Sequence, residues 1–125
     1  MPRFEATAST ASPLRLERGA KVYEVQCARC HGADGQGVAR AYVPLAGNPA
    51  VLQEPPANLV QVVLGGAFPP STAGNPRPFG MPPFATELGD EDIAAVLSYI
   101  RNAWGNRAGA VQALDVQRWR SSVRP

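Results

Sequence analysis

The sequence predicts an all-α domain. Three observations carry that expectation: a Ser-Pro helix start at Ser12-Pro13, a stripe of apolar residues at helical spacing from Ile93 to Trp104, and no β-rich segment anywhere in between. At 125 residues the chain is a single domain. Residues 1–11 read as a flexible lead-in, residues 12–106 as the domain, and residues 107–125 as an arginine-rich tail.

Ser12 offers a hydroxyl for the N-cap and Pro13 a preset first turn. The helix then runs through Leu14, Leu16, Val22, Tyr23 and Val25 toward Cys27. Gly19 inside it costs about 1 kcal/mol against Ala. Its presence points to a second helix crossing where a Cβ would not fit, the alternative being a mere weak spot in the helix. The glycines from Gly32 to Gly37 match no phosphate-loop spacing and follow no strand, so they read as a turn. Residues 40–53 are irregular apart from a short helix begun by Asn48-Pro49. Ala-Gly-Asn-Pro occurs at 46–49 and again at 73–76, which reads as coincidence between two turn-forming tetrapeptides. Pro55 to Leu64 is a helix with Leu59, Val62 and Val63 on one face, ended by Gly65-Gly66. Six prolines in residues 67–83 make a stiff loop without regular structure.

The last strong helix starts at Gly89-Asp90-Glu91-Asp92, whose three carboxylates complement the helix dipole. They read as capping rather than as a metal or catalytic site. Ile93, Val96, Leu97, Ile100 and Trp104 form its apolar stripe, and Gly105-Asn106 stops it. Val111 to Trp119 reads as a short helix packed back on the domain.

The chemistry is concentrated in Cys27-Ala28-Arg29-Cys30-His31. Cys-x-x-Cys-His is the attachment signature of a c-type haem: each thiol adds to one vinyl group, and the histidine beside them ligates the iron. A thioredoxin-like dithiol would need a preceding strand and a βαβ context, whereas a helix precedes Cys27. A structural zinc site needs four ligands, and two Cys with one His give three at most. A Cys27–Cys30 disulfide would close too short a loop to stabilise much.

His31 is the only histidine, so this chain cannot supply bis-histidine ligation. A sixth ligand would come from methionine, lysine, a backbone amine or water. Met1 is the chain start and Lys21 shares the short segment that carries His31. Elimination points to Met81, in the Pro- and Gly-rich run Phe79-Gly80-Met81-Pro82-Pro83-Phe84.

The formal charge of +2 falls to about zero with two haem propionates, which leaves no case for nucleic acid or an anionic membrane. Eleven of the twelve basic residues are Arg, with Arg107, Arg118, Arg120 and Arg124 near the end, so docking by a lysine ring is not available. No segment is long enough for a membrane span. No signal peptide is visible at the start. Haem attachment in bacteria occurs outside the cytoplasmic membrane, so a periplasmic location is expected, the sequence being a mature form or one domain of a longer chain.

The order of these features resembles the class I cytochrome c family over residues 12–105: a helix with Gly19 and Tyr23 leading into Cys-x-x-Cys-His, a late methionine loop, and an amphipathic C-terminal helix. The resemblance implies a small helical domain around one covalent haem c, held by Cys27 and Cys30 with His31 and Met81 on the iron. It implies that Gly19 and Tyr23 meet Val96, Tyr99 and Ile100 where the two terminal helices cross near a right angle. It implies that Pro44 packs on His31 and accepts its second N–H. It makes Arg40, Tyr42 and Arg77 candidates to meet the propionates. Pro44 to Pro49, Val62 to Gly66, Met81 to Phe84, Tyr99 to Asn106 and the tail Val111 to Arg120 are similar to cytochrome subunits of bacterial periplasm-facing dehydrogenases, including alcohol, gluconate and sugar-acid enzymes. The function so implied is electron transfer, as a carrier and not an enzyme, from a dehydrogenase to an oxidase, cytochrome or quinone acceptor. The alternative is a haem-based gas sensor or haem enzyme with an open sixth site, against which stands the absence of a second histidine.

Overall fold

The computed structural model describes residues 12–39, 41–67 and 80–121. They form six helices: α1 (Pro13–Gln26), α2 (Ala28–His31), α3 (Pro49–Leu52), α4 (Ala57–Gly65), α5 (Asp90–Ile100) and α6 (Ala113–Arg120). Among the described residues the β-type pairing is confined to two isolated bridges, Val38 with Tyr42 and Ala67 with Met81. The all-α expectation is met.

α1 begins as its first residues dictate. The Ser12 hydroxyl accepts from the Arg15 N–H at 3.1 Å, and Pro13 sits where no N–H is required. The principal helix packing is α1 against α5. It is close because Gly19 has no side chain: a Cβ there would lie 2.7 Å from the Ala95 carbonyl carbon and 2.8 Å from the Tyr99 Cβ. The buried face of α1 is narrower than the apolar pattern suggested. Gly19 and Tyr23 are buried, whereas Leu14 and Val25 are 78% and 65% exposed. Tyr23 stacks with Tyr99 and Trp104 at ring distances of 5.6 and 5.1 Å, and Tyr99 meets Trp104 at 5.7 Å, all within the range of favourable aromatic pairs.

α5 is buried almost all round, with every residue from Ile93 to Ser98 inside, because α1, α4 and α6 all pack on it. It ends at Ile100, short of the Trp104 that the stripe suggested. Two amide side chains take over its last carbonyls: Asn102 Nδ2 donates to Ser98 O at 2.9 Å, and Asn106 Nδ2 donates to Ile100 O at 2.9 Å and Leu45 O at 3.1 Å. Trp104 then takes a left-handed turn at φ 53°.

α4 starts at Ala57 rather than Pro55, and its core face is Val60, Val63 and Leu64. α3 starts as expected, with the Asn48 side chain accepting from the Ala50 N–H at 2.9 Å. The segment before α6 is bolted to α5: the Ser98 hydroxyl donates to Val111 O at 3.1 Å and accepts from Val111 N at 2.9 Å. Val111 and Val116 are fully buried. Arg101 is buried as well, donating to Gly109 O, Val51 O and Gln53 O at 2.8–2.9 Å and pairing with Glu54. The acidic first turn of α5 does more than complement a dipole. Asp90 pairs with Arg120 at 2.7 Å, Glu91 with Arg15 at 3.3 Å and Asp92 with Arg18 at 2.6 Å, so it ties α5 to both α6 and α1.

Candidate functional site

α1 breaks at Cys27, whose N–H still bonds Tyr23 O at 2.9 Å. The Cys27 carbonyl then accepts from the N–H groups of Cys30 and His31 at 3.1 and 2.9 Å, which winds the short α2. Tyr23 braces the far end of that turn, its hydroxyl donating to Gly32 O at 2.6 Å. Burial holds the Tyr23 phenol well above its ordinary pKa, with nearby Cys27 and Tyr99 adding to it. The turn brings Cys27, Cys30 and His31 to one wall of a cleft of about 210 Å³.

The His31 ring is fixed by one bond. Its Nδ1 lies 2.9 Å from the Val43 carbonyl oxygen. A carbonyl can only accept, so Nδ1 carries the proton and Nε2 is left with its lone pair, ready to bind a metal. This corrects the expectation for Pro44, whose carbonyl instead accepts from the Asn48 side chain at 2.8 Å. The cause is the loop path. Gly37, at φ 71°, bonds back to His31 O at 2.7 Å, and a Cβ on it would meet Tyr42 O and Pro44 N. Val38 and Tyr42 then exchange both backbone bonds at 2.8 Å, and Leu45 N is drawn to Gly35 O. The carbonyl that reaches the imidazole from this tight turn is that of Val43.

Met81 lines the same cleft. Its backbone is not free: Met81 N donates to Ala67 O at 2.7 Å and Met81 O accepts from Ala67 N at 3.0 Å. Gly66 makes this approach possible, since a Cβ there would lie 2.7 Å from Met81 O. The Gly65-Gly66 helix end is therefore also the seat of the methionine. Beyond it, Phe84 N bonds Val63 O and Ala85 N bonds Leu64 O, so the chain leaving Met81 caps the last carbonyls of α4.

Tyr42 lines the cleft with its ring 6.5 Å from that of His31. A hydrogen bond with Cys30 raises its phenol pKa, with desolvation and the Cys30 charge adding to the shift. Arg40 and Arg77 lie outside the described residues. Lys21 is exposed on α1 and does not line the cleft. The cleft wall also contains Val62, Ala67, Pro82 and Phe84. Sequence reading placed Val62 on the core face and did not mark Val43 or Phe84. The signal that finds them is the pair of glycines, Gly37 and Gly66, beside which the two ligand-bearing segments pass.

The donor set fits an iron tetrapyrrole. Two sulfurs sit one helical turn apart, an imidazole offers Nε2, a thioether shares the cleft, and the walls are apolar. Burial, with the neighbouring Cys30, pushes the Cys27 thiol up to about 11, away from the depressed value of a nucleophilic thiol. Among the described residues no group of three or more His, Cys, Asp or Glu could hold a metal ion by itself. No helix among them is long and apolar enough to cross a membrane.

Residues 16–104 match the family model described as Cytochrome c. The chain is 44% identical over 108 residues to the cytochrome c subunit of alcohol dehydrogenase (quinone) from Gluconobacter oxydans, covering 86% of this chain and 23% of that protein. It is 39% identical over 102 residues to the gluconate 2-dehydrogenase cytochrome c subunit of Pantoea cypripedii, covering 80% of this chain and again 23% of that one. It is 38% identical over 91 residues to cytochrome c-552 of Thermus thermophilus, covering 70% and 69%. The chain thus spans about a quarter of the length of the dehydrogenase subunits it matches.

Proposed function

The chain belongs to the cytochrome c family, and on that footing we propose that it is an electron-transfer module with His31 and Met81 as the axial ligands of one haem c bound through Cys27 and Cys30. The observation that carries this reading is the cleft shared by both cysteines, His31 and Met81. When bound, the haem supplies a one-electron couple and everything else falls to the polypeptide. Val43 O holds the His31 ring in one tautomer and makes Nε2 the better donor. The Ala67 bridge presents the Met81 thioether from a fixed backbone. Val62, Pro82 and Phe84 give the cleft apolar walls. Such a site changes little between its two redox states, which suits a carrier better than a catalyst.

The dehydrogenase subunits among its relatives support a dehydrogenase as electron source and a periplasmic setting. Electrons would leave to a quinone, a second cytochrome or an oxidase. Recognition would be weak and brief, over a small interface.

The test is the optical spectrum of the reduced protein with and without carbon monoxide. A low-spin c-type spectrum that carbon monoxide leaves unchanged is expected. Met81→Ala should then bind carbon monoxide and show a lower reduction potential. A wild-type spectrum that shifts with carbon monoxide overturns the His/Met assignment and favours a sensor or enzyme with an open site.

A further inference from the structure

Arg120 lies beyond the last residue matched by the family model. Its guanidinium binds three groups at once. Nε pairs with Asp90 Oδ1 at 2.7 Å, Nη1 donates to the Ala85 carbonyl, and Nη2 donates to the Leu88 carbonyl at 3.0 Å. Ala85 N in turn donates to Leu64 O at 3.2 Å, and Phe84 N to Val63 O at 2.9 Å. The Ala85 residue is therefore held by α4 on one side and α6 on the other. Glu87 N and Leu88 N close a turn on Phe84 O at 3.1 and 3.0 Å. Arg118, on the same helix, has a side chain 64% exposed and lies 3.9 Å from Asp115. The two arginines of α6 thus have different tasks.

We propose that Arg120 is a positioning residue for Met81: it clasps the segment 84–88 to α6 and so limits how far the thioether can withdraw from the cleft. The inference rests on the His/Met reading. A thioether is a neutral, weak ligand, so its hold depends on how little freedom the backbone behind it has. Ala67 fixes Met81 itself; downstream, the described backbone hydrogen bonds from residues 84–88 to another helix are those to α4, and Arg120 adds the second anchor. The planar fork matters, because two carbonyls and a carboxylate must be reached together.

The experiment uses the haem-loaded ferric protein and cyanide as the probe, since cyanide enters only when the sixth ligand leaves. Arg120→Ala should bind cyanide about tenfold faster than wild type, from the loss of charged hydrogen bonds to the segment. Arg120→Lys, which keeps the charge beside Asp90 but not the fork, should fall in between. Arg118→Ala should match wild type. Val51→Ala opens a core cavity on α3, which makes no hydrogen bond to residues 81–88, and sets the effect of lost stability alone. If Arg120→Ala does not take up haem, Arg120→Lys carries the test. A wild-type cyanide rate in the Arg120 variant, or one no faster than Val51→Ala at equal stability, overturns the clasp. Met81→Ala separates the two readings. If it leaves the cyanide rate unchanged, the ligand assignment itself is wrong. If it speeds binding while the Arg120 variant does not, the assignment stands and only the clasp fails.

Discussion

Gly19 of α1 faces the main-chain carbonyl of Ala95 on α5 with no room for a methyl group between them. The contact is with backbone, which cannot swing aside as a side chain would. Gly19→Ala gains about 1 kcal/mol of helix propensity. Overpacking against a fixed neighbour costs about 1–3 kcal/mol or more. We expect a net loss of up to about 2 kcal/mol in denaturant unfolding of the haem-loaded protein. A more stable Gly19→Ala variant would show that the helices can part at no cost.

Tyr23 should matter most at neutral pH and least in alkali. Its hydroxyl bonds Gly32 O at 2.6 Å, and the residue is 2% exposed. Tyr23→Phe should lose about 1 kcal/mol at pH 7. The folded protein holds the phenol proton above its ordinary pKa of 10.0. That contribution is fully present below pH 10 and is lost as pH rises from there toward the raised value, at up to ~1.4 kcal/mol per pH unit. Stability curves for wild type and Tyr23→Phe should therefore converge and cross above pH 10. Parallel curves would remove Tyr23 from the alkaline transition.

Arg101 is fully buried and serves three carbonyls from two stretches of chain, 51–53 and Gly109. Arg101→Ala strands those acceptors and should cost about 3–5 kcal/mol, enough to threaten folding. Glu54, with a side chain 57% exposed, contributes far less. Glu54→Gln should cost under about 1 kcal/mol. Equal losses in the two variants, read by thermal unfolding, would mean the ion pair and not the carbonyl bonds holds this corner.

Removing the haem should unfold the domain. The cleft between α2, α4 and the Met81 segment is walled by apolar groups, among them Val62, Ala67, Pro82 and Phe84, that a bound haem would cover. Small domains rarely stabilise themselves without such a staple. The double variant Cys27→Ala, Cys30→Ala should show no cooperative thermal transition by circular dichroism. A sharp transition near that of wild type would show that the helices alone suffice.

Helix starts were legible because they are written locally. Ser12-Pro13, Asn48-Pro49 and the Gly89-Asp90 step each cap a helix within a few residues. The end of α5 was not, because it depends on Asn106 reaching back to Ile100 and across to Leu45. The burial of Arg101 was not legible either, since nothing nearby in sequence announces partners at Val51, Gln53 and Gly109. In the site, the cysteines, His31 and Met81 could be picked out by residue type and scarcity. Which carbonyl meets the imidazole could not. A one-residue choice between Val43 and Pro44 is decided by the Gly37 turn and the Val38–Tyr42 bridge, and the sequence pattern does not encode that register.

The bridge between Ala67 and Met81 closes the chain on itself at the two ends of residues 68–80. Such a closed loop is decoupled in length from what lies at its neck. Lengthening a loop adds only slowly to its closure entropy, about 0.6 kcal/mol per doubling. Residues could be gained, lost or exchanged inside 68–80 while the thioether stays where Ala67 holds it. The length of chain between the two bridge residues can thus change without moving the backbone that carries Met81.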